Sequence, residues 1–149
     1  MSKERLTFFL CVGAEKAGTT WIYDHLRSHP ECDLLPIKEI RGLDTYFLPE
    51  LRPRFVKSTR TAVWHRFKST LRYPSANRIR ALAVHWRRYR SVGNLDRYFD
   101  LVRSARASGT VVGDITPPYA VLTAGEFLSS REAFLHRGLT PRVLFVMLV

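Results

Sequence analysis

Long hydrophobic runs and closely spaced cysteines are both scarce in this chain of 149 residues. The longest apolar stretch near the start, from Leu6 to Ala14, is broken by a threonine and a glycine, so it is too short to cross a bilayer. The sequence therefore predicts neither a signal peptide nor a membrane anchor, and we expect a cytoplasmic protein. The two cysteines, Cys11 and Cys32, lack the spacing of a zinc site and predict two free thiols.

Acidic residues are nearly missing from the middle of the chain. Between Arg52 and Arg106 there are 15 lysines and arginines but only two aspartates, and the whole chain has a net charge of +11. A segment of this kind attracts polyanions, including nucleic acid, anionic lipid and acidic glycans. A solvated basic helical face accounts for the same composition, so a basic polyanion-binding module and a purely structural segment both stay open.

Hydrophobic residues make up 46% of the chain, and their spacing alternates between strand and helix patterns. Strands are predicted over Leu6–Val12, Cys32–Leu35, Thr110–Gly113 and Arg142–Val149, the last as a central parallel strand. Helices are predicted over Thr19–Ser28, around Val63–Leu71 and Ile79–Trp86 with a break at Tyr73-Pro74, from Asn94 to Arg106, and over Ala124–His136. A strand, a loop, a helix and a further strand open a βαβ unit, so the sequence predicts an α/β fold with a parallel sheet flanked by helices.

The sharpest motif, GAEKAGTTW, runs from Gly13 to Trp21 between the first predicted strand and helix. Two glycines five residues apart let the backbone fold closely around an anion, and the helix start offers free N–H groups and a positive dipole end. The spacing partly matches the nucleotide-binding pattern G-x-x-x-x-G-K-[ST]. However, Thr19 stands where that pattern has Lys, and the only lysine of the loop is Lys16. An atypical P-loop kinase or NTPase stays an alternative.

The order Lys-x-Gly-Thr-Thr-Trp resembles the 5′-phosphosulfate loop of sulfotransferases that use 3′-phosphoadenosine 5′-phosphosulfate (PAPS). The stretch EKAGTTWIYDHLRSHP at 15–30 is similar to that loop and its helix throughout. PIKE at 36–39, followed by Tyr46-Phe47, is similar to a segment of bacterial and heparan-sulfate-type sulfotransferases. VGDITPPY at 112–119 is similar to a segment that lines the same cleft in the family.

This resemblance implies a P-loop-type α/β fold and transfer of a sulfuryl group from PAPS to a hydroxyl or amine of a small-molecule or glycan acceptor, without a metal. It implies two catalytic residues. Lys16 would neutralise charge on the phosphate oxygens, and Glu39, partly desolvated, would take the proton of the acceptor. The cofactor-binding residues would be Lys16, Ala17, Gly18, Thr19, Thr20 and Trp21, and the substrate-lining residues would be Lys38, Asp114, Thr116 and Tyr119.

Several of these residues also have simpler interpretations. Asp114 could orient Lys16 or the acceptor, but capping at the end of a strand explains it equally well. Trp21 is predicted to pack in the core. Trp64, Trp86 and Tyr89 are predicted to lie on the buried faces of helices rather than to grip a sugar or base. His65 and His85 of the basic segment are predicted to be surface residues rather than to replace Glu39 as the base.

The resemblance does not extend to the next signature of the family, R-D-P-x-x-R-x-x-S, which holds the 3′-phosphate of PAPS. Leu148 stands at its first expected position, and Ile115 stands where the heparan-type motif has Lys. We therefore expect residues 1–149 to be a partial sulfotransferase domain that binds PAPS weakly by itself. Its expected parts are the phosphosulfate loop and base segment (6–47), a basic helical region (50–106) and the second part of the sheet (110–149).

Overall fold

The computed structural model describes residues 6–146, which divide into two compact units: residues 6–41 with 102–146, and Gly42–Leu101. Over this range the chain forms strands β1 (Leu6–Cys11), β2 (Cys32–Leu34), β3 (Val111–Ile115) and β4 (Leu139–Leu144). Its α-helices are α1 (Thr19–Ser28), α2 (Gly42–Phe47), α3 (Arg52–Arg72), α4 (Ala76–Ser91), α5 (Leu95–Arg103) and α6 (Ala124–His136). Short 3₁₀ turns cover Pro49–Leu51 and Pro117–Val121.

The four strands form one sheet in the order β2-β3-β1-β4, and every neighbouring pair is parallel. Strand β1 lies between β3 and β4, and its Phe8 pairs with Val112 on one side and Pro141 on the other. Because helices cover both faces of a parallel sheet, a strand in this position has no solvent side. This explains why β1 is apolar apart from Thr7 and confirms the expected α/β fold with a parallel sheet flanked by helices.

Helices α1 and α6 lie on opposite faces of this sheet. Phe8 stacks on Phe134 of α6, with ring centroids 4.3 Å apart. On the other face, Cys11 and Ile115 pack in one cluster with Tyr23 of α1. Since residues 8 and 11 are an odd number of positions apart, their side chains point to opposite faces of a strand. The connections that follow β1 and β3 therefore leave the sheet on opposite sides.

The first unit contains two helices whose bounds match the sequence prediction, α1 and α6. Helix α6 begins with a capping box, in which the hydroxyl of Thr123 accepts from the N–H of Glu126 at 3.3 Å and the carboxylate of Glu126 accepts from the N–H of Thr123 at 2.6 Å. Helix α1 begins after Gly18 and ends just before Pro30.

Strand β4 differs from the prediction of a central strand over Arg142–Val149. It begins at Leu139 and lies at an edge of the described sheet, while residues 147–149 lie outside the described range. An edge strand tolerates Pro141, because only one of its sides must supply ladder hydrogen bonds. Val143 and Leu144 of this strand are exposed.

The second unit is helical, and its break at Tyr73-Pro74 lies where the proline predicted it, between α3 and α4. The hydroxyl of Ser75 caps α4 by accepting from the N–H of Arg78 at 3.3 Å. Asn94 caps α5, as predicted, by accepting from the N–H of Arg97 at 2.9 Å. Helix α5 ends at Arg103 rather than at the predicted Arg106. Among residues 6–146, no helix combines the length and the hydropathy that crossing a bilayer requires.

Candidate functional site

A hollow of about 350 Å³ opens at the carboxyl ends of β1, β2 and β3. Its lining comes from the three segments that follow these strands: Glu15, Lys16, Gly18, Thr19, Thr20, Lys38, Glu39 and Pro117. In open α/β sheets, ligands bind outside the carboxyl ends of neighbouring strands whose connections leave on opposite faces. Strands β1 and β3 are such neighbours, so the hollow occupies the ordinary ligand position of this fold.

The first turn of α1 forms the floor of the hollow. Gly18 precedes the helix with φ 79° and ψ 13°, a left-handed conformation that glycine adopts without strain, and no side chain caps the helix start. Among residues 6–146, no group accepts a hydrogen bond from the N–H of Gly18, Thr19 or Thr20. The N–H of Ala17, by contrast, already donates to the carbonyl of Ala14 at 3.3 Å. The amides of Gly18, Thr19 and Thr20 are thus available to an anion, whereas that of Ala17, which the resemblance also placed at the cofactor, is not.

Lys38 is joined to α1 by a short hydrogen bond. Its ammonium donates to the hydroxyl oxygen of Thr20 at 2.6 Å and lies 6.0 Å from the centre of the Tyr23 ring. Because the hydroxyl oxygen of Thr20 accepts from the ammonium, its own hydrogen points elsewhere and can be donated to a bound oxygen. The segment after β2 and the segment after β1 therefore meet through this pair.

Lys16 and Glu39 reach the hollow from backbone in the left-handed region, with φ 61° and φ 54°. Residues with a Cβ rarely adopt such angles, and they occur preferentially where a side chain must be aimed. The N–H of Glu39 donates to the carbonyl of Ile115 at 3.1 Å, which fixes this segment to the end of β3. The side chain of Glu39 is exposed, so the expectation that it is partly desolvated is wrong. It lies on the open rim of the hollow.

The formal charges around the hollow cancel, since Glu15 and Glu39 carry two negative charges and Lys16 and Lys38 carry two positive charges. A preference for anions must therefore come from position rather than from net charge. The open amides and the positive dipole end of α1 all lie at one end, where they act together on a bound anion. Sequence reasoning assigned no role to Glu15, although it lies inside the loop that was singled out.

Asp114, Thr116 and Tyr119 form a buried group beneath the hollow's rim rather than a lining. The two carboxylate oxygens of Asp114 accept hydrogen bonds from the hydroxyls of Thr116 and Tyr119, each at 2.7 Å. All three residues are almost fully buried. These bonds fix the turn between β3 and α6, so the structure favours the structural interpretation of Asp114 over an orienting role toward Lys16.

Three tryptophans expected in the core are exposed instead. Trp21 is 70% exposed, stacks on His25 with ring centroids 5.2 Å apart, and is not among the residues that line the hollow. Its neighbours on α1, Ile22 and Tyr23, take the positions that pack on the sheet. Trp64 and Trp86 of the second unit are 53% and 48% exposed. The helical spacing predicted the apolar stripes of these helices, but it did not predict which stripes the rest of the protein would cover.

Both cysteines are free thiols, as predicted, and burial raises the pKa of Cys11 and of Cys32. Over residues 6–146, no group of three or more histidine, cysteine, aspartate or glutamate side chains could hold a metal ion. Comparison of the chain with protein-family models, with curated proteins and with solved structures finds no match in any of the three. The geometry of the hollow and the motifs around it are therefore the basis for a functional assignment.

Proposed function

We propose that the hollow binds the 5′-phosphosulfate of PAPS and that the chain is the phosphosulfate-binding part of a sulfotransferase. The observation that carries this proposal is the convergence of two separate sequence motifs. Lys16, Thr19 and Thr20 come from the loop after β1, whereas Lys38 and Glu39 come from the segment after β2, yet all five line one hollow. The resemblance to sulfotransferases rests on the same two segments, and both meet at the ordinary ligand position of this fold.

Each end of the hollow has a separate task in this proposal. The amides of Gly18, Thr19 and Thr20 and the hydroxyl hydrogen of Thr20 hold the oxygens of the 5′-phosphate at the start of α1. Lys16 offsets the negative charge that grows on the bridging and leaving oxygens during transfer. Preorganised donors of this kind are typically worth about 3–4 kcal/mol in the transition state.

Glu39 is the proposed base, since it is the carboxylate that both lines the hollow and matches the motif. The acceptor oxygen or nitrogen attacks sulfur in line with the bridging oxygen, and a new bond to sulfur forms as the bond to that oxygen breaks. The proton of the acceptor passes to Glu39, and 3′-phosphoadenosine 5′-phosphate leaves. An exposed carboxylate at the rim leaves space for an acceptor to approach from solvent.

Calorimetric titration with PAPS tests the assignment of the loop. Lys16→Ala removes one charged hydrogen-bond donor, so we expect affinity to fall by about 10- to 100-fold. Lys57→Ala is the matched control, because it removes the same charge from an exposed position of α3 in the other unit. Equal affinity of wild type and Lys16→Ala would contradict the proposal. Tighter binding of ATP with Mg²⁺ than of PAPS would favour the atypical kinase or NTPase instead.

A further inference from the structure

The helical pair α3–α4 carries an unusual charge pattern. The two helices pack along each other and are joined only by Tyr73-Pro74-Ser75, so they run antiparallel. Helix α3 contains seven lysines and arginines and α4 contains five, and neither contains an acidic residue. Without acidic partners along either helix, these cations are not arranged for the intrahelical ion pairs that usually stabilise such surfaces.

A continuous apolar stripe runs along one side of this pair. We call it the hairpin stripe, and its residues are Trp64, Phe67 and Leu71 of α3 and Ile79, Leu82 and Trp86 of α4. Within each helix the spacings of three, four and seven residues place these side chains on one face. Trp64, Phe67, Leu82 and Trp86 line a shared groove of about 340 Å³. Leu71 is 67% exposed and Ile79 is 56% exposed at the turn.

Cations border the hairpin stripe on both of its long sides. On α3, the ammonium of Lys68 lies 5.0 Å from the centre of the Trp64 ring, and Lys57 lies seven residues before Trp64 on the same side. On α4, Arg87 and Arg90 line an adjoining cleft of about 580 Å³ together with Trp86, and Arg97, Asp100 and Leu101 of α5 complete its lining. Across the width of the pair, the surface is therefore apolar in the middle and basic on each side. Arg60 lies within the groove itself.

We infer that the hairpin stripe docks on the surface of an anionic lipid bilayer without crossing it. Amphipathic helices that lie in a bilayer interface combine Trp, Phe and Leu on one side with Lys and Arg around them, and basic residues next to the surface attract anionic lipids. Long basic side chains at the stripe's edges reach the head groups while the apolar side chains enter the boundary below. This binding role is independent of the PAPS site proposed above, because it rests on the other unit.

The composition of the stripe favours lipid over nucleic acid. Single-stranded nucleic acid binds where a basic groove follows one backbone and aromatic rings stack on the bases. Here the cations border both sides, and the exposed members at the turn, Leu71 and Ile79, are aliphatic and cannot stack. One face of Trp64 is also covered, since its ring stacks on Phe67 with centroids 5.8 Å apart. A bilayer surface accommodates both the cations on either side of the stripe and the aliphatic side chains at the turn.

Co-sedimentation of the full chain with vesicles tests this inference. We expect binding to vesicles of phosphatidylcholine with phosphatidylserine, and at least about tenfold weaker binding to phosphatidylcholine alone. The double variant Trp64→Ser/Trp86→Ser should bind the mixed vesicles about tenfold more weakly or worse, because it loses two side chains that enter the interface. Trp21→Ser is the control, since it removes a still more exposed tryptophan from the other unit and should bind like wild type.

The remaining outcomes each overturn the inference. Loss of vesicle binding in high salt with no effect of the double variant would show adsorption by charge alone. Binding to a single-stranded oligonucleotide but not to mixed vesicles would show that the stripe recognises nucleic acid. A dimer that sedimentation velocity detects for wild type but not for the double variant, without vesicle binding, would show that a second copy covers the stripe. Circular dichroism of the double variant confirms that its helices are retained.

Discussion

At the scale of single residues, the backbone at Lys16 and Glu39 is the most informative feature of the site. Both residues have positive φ angles, and both line the hollow. A residue with a Cβ in this region costs roughly 1–2 kcal/mol relative to an ordinary conformation. The chain accepts this cost at three charged residues, Lys16, Glu39 and Arg41, and the first two share one hollow, which supports a role in binding for those two side chains.

Replacing Glu39 by Gln separates binding from chemistry. The amide has nearly the same shape but cannot accept the proton of the acceptor, so we expect turnover to fall by roughly 10²- to 10⁴-fold. The affinity for PAPS, measured by calorimetry, should stay close to that of wild type. Turnover is measured as release of 3′-phosphoadenosine 5′-phosphate from PAPS with a panel of hydroxyl and amine acceptors.

Glu50→Gln is the control for that experiment, because Glu50 is an exposed glutamate of the other unit. It should turn over like wild type. If Glu39→Gln also keeps full turnover, the base must be another group and the assignment of Glu39 is wrong.

The sequence could predict which side chains enter the hollow where a tight loop fixes their direction. Lys16, Thr19 and Thr20 lie between or just after two glycines, and all three line the hollow as the motif predicted. It could not predict the group around Asp114, because those hydrogen bonds depend on the course of the turn after β3. It also misplaced Trp21, since a helix with apolar residues on adjoining positions can rotate by one residue and still bury a comparable face.

At the scale of elements, the predicted bounds match the structure for the two helices that have strong local signals at their ends. Helices α1 and α6 have their predicted bounds, and the structure shows a capping box before α6 and a glycine and a proline around α1. For β4, the prediction followed the apolar residues after Arg142, but pairing with β1 extends the strand back to Leu139. Strand bounds depend on the register of a neighbouring strand, which a single sequence does not contain.

His85 makes the stability of the helical pair depend on pH. Its imidazole is partly buried, and Nδ1 has no hydrogen-bond partner among the described residues. Burial, followed by the nearby guanidinium groups of Arg66 and Arg88, lowers the pKa of His85 below its ordinary value of about 6.5. The folded state therefore binds a proton less readily than the unfolded state. The free energy of unfolding should fall as the pH is lowered through about 6.5 towards the folded-state pKa.

Urea unfolding from neutral to mildly acidic pH measures this dependence. We expect His85→Gln to reduce the slope of unfolding free energy against pH, whatever its effect on stability at neutral pH. His65→Gln changes an exposed histidine of α3 and should keep the wild-type slope. An unchanged slope in His85→Gln would mean that other groups account for the acid sensitivity.

At the scale of the whole molecule, the two units carry separate proposed tasks. The first unit holds the parallel sheet and the hollow, whereas the second contains the basic helical pair and most of the excess positive charge. A failure of vesicle binding would leave the PAPS site untouched, and a failure of PAPS binding would leave the hairpin stripe untouched.

The most direct test of the central claim is a titration with PAPS followed in two-dimensional amide NMR spectra. If the start of α1 holds the phosphosulfate, the largest shifts should fall on the amides of Gly18, Thr19 and Thr20, whose N–H groups gain a charged acceptor. Amides of α3 and α4 should stay unchanged, and adenosine, which lacks the phosphosulfate, should not reproduce the shifts. Largest shifts in α3 and α4, or no shift at the start of α1 at saturating PAPS, would contradict the account.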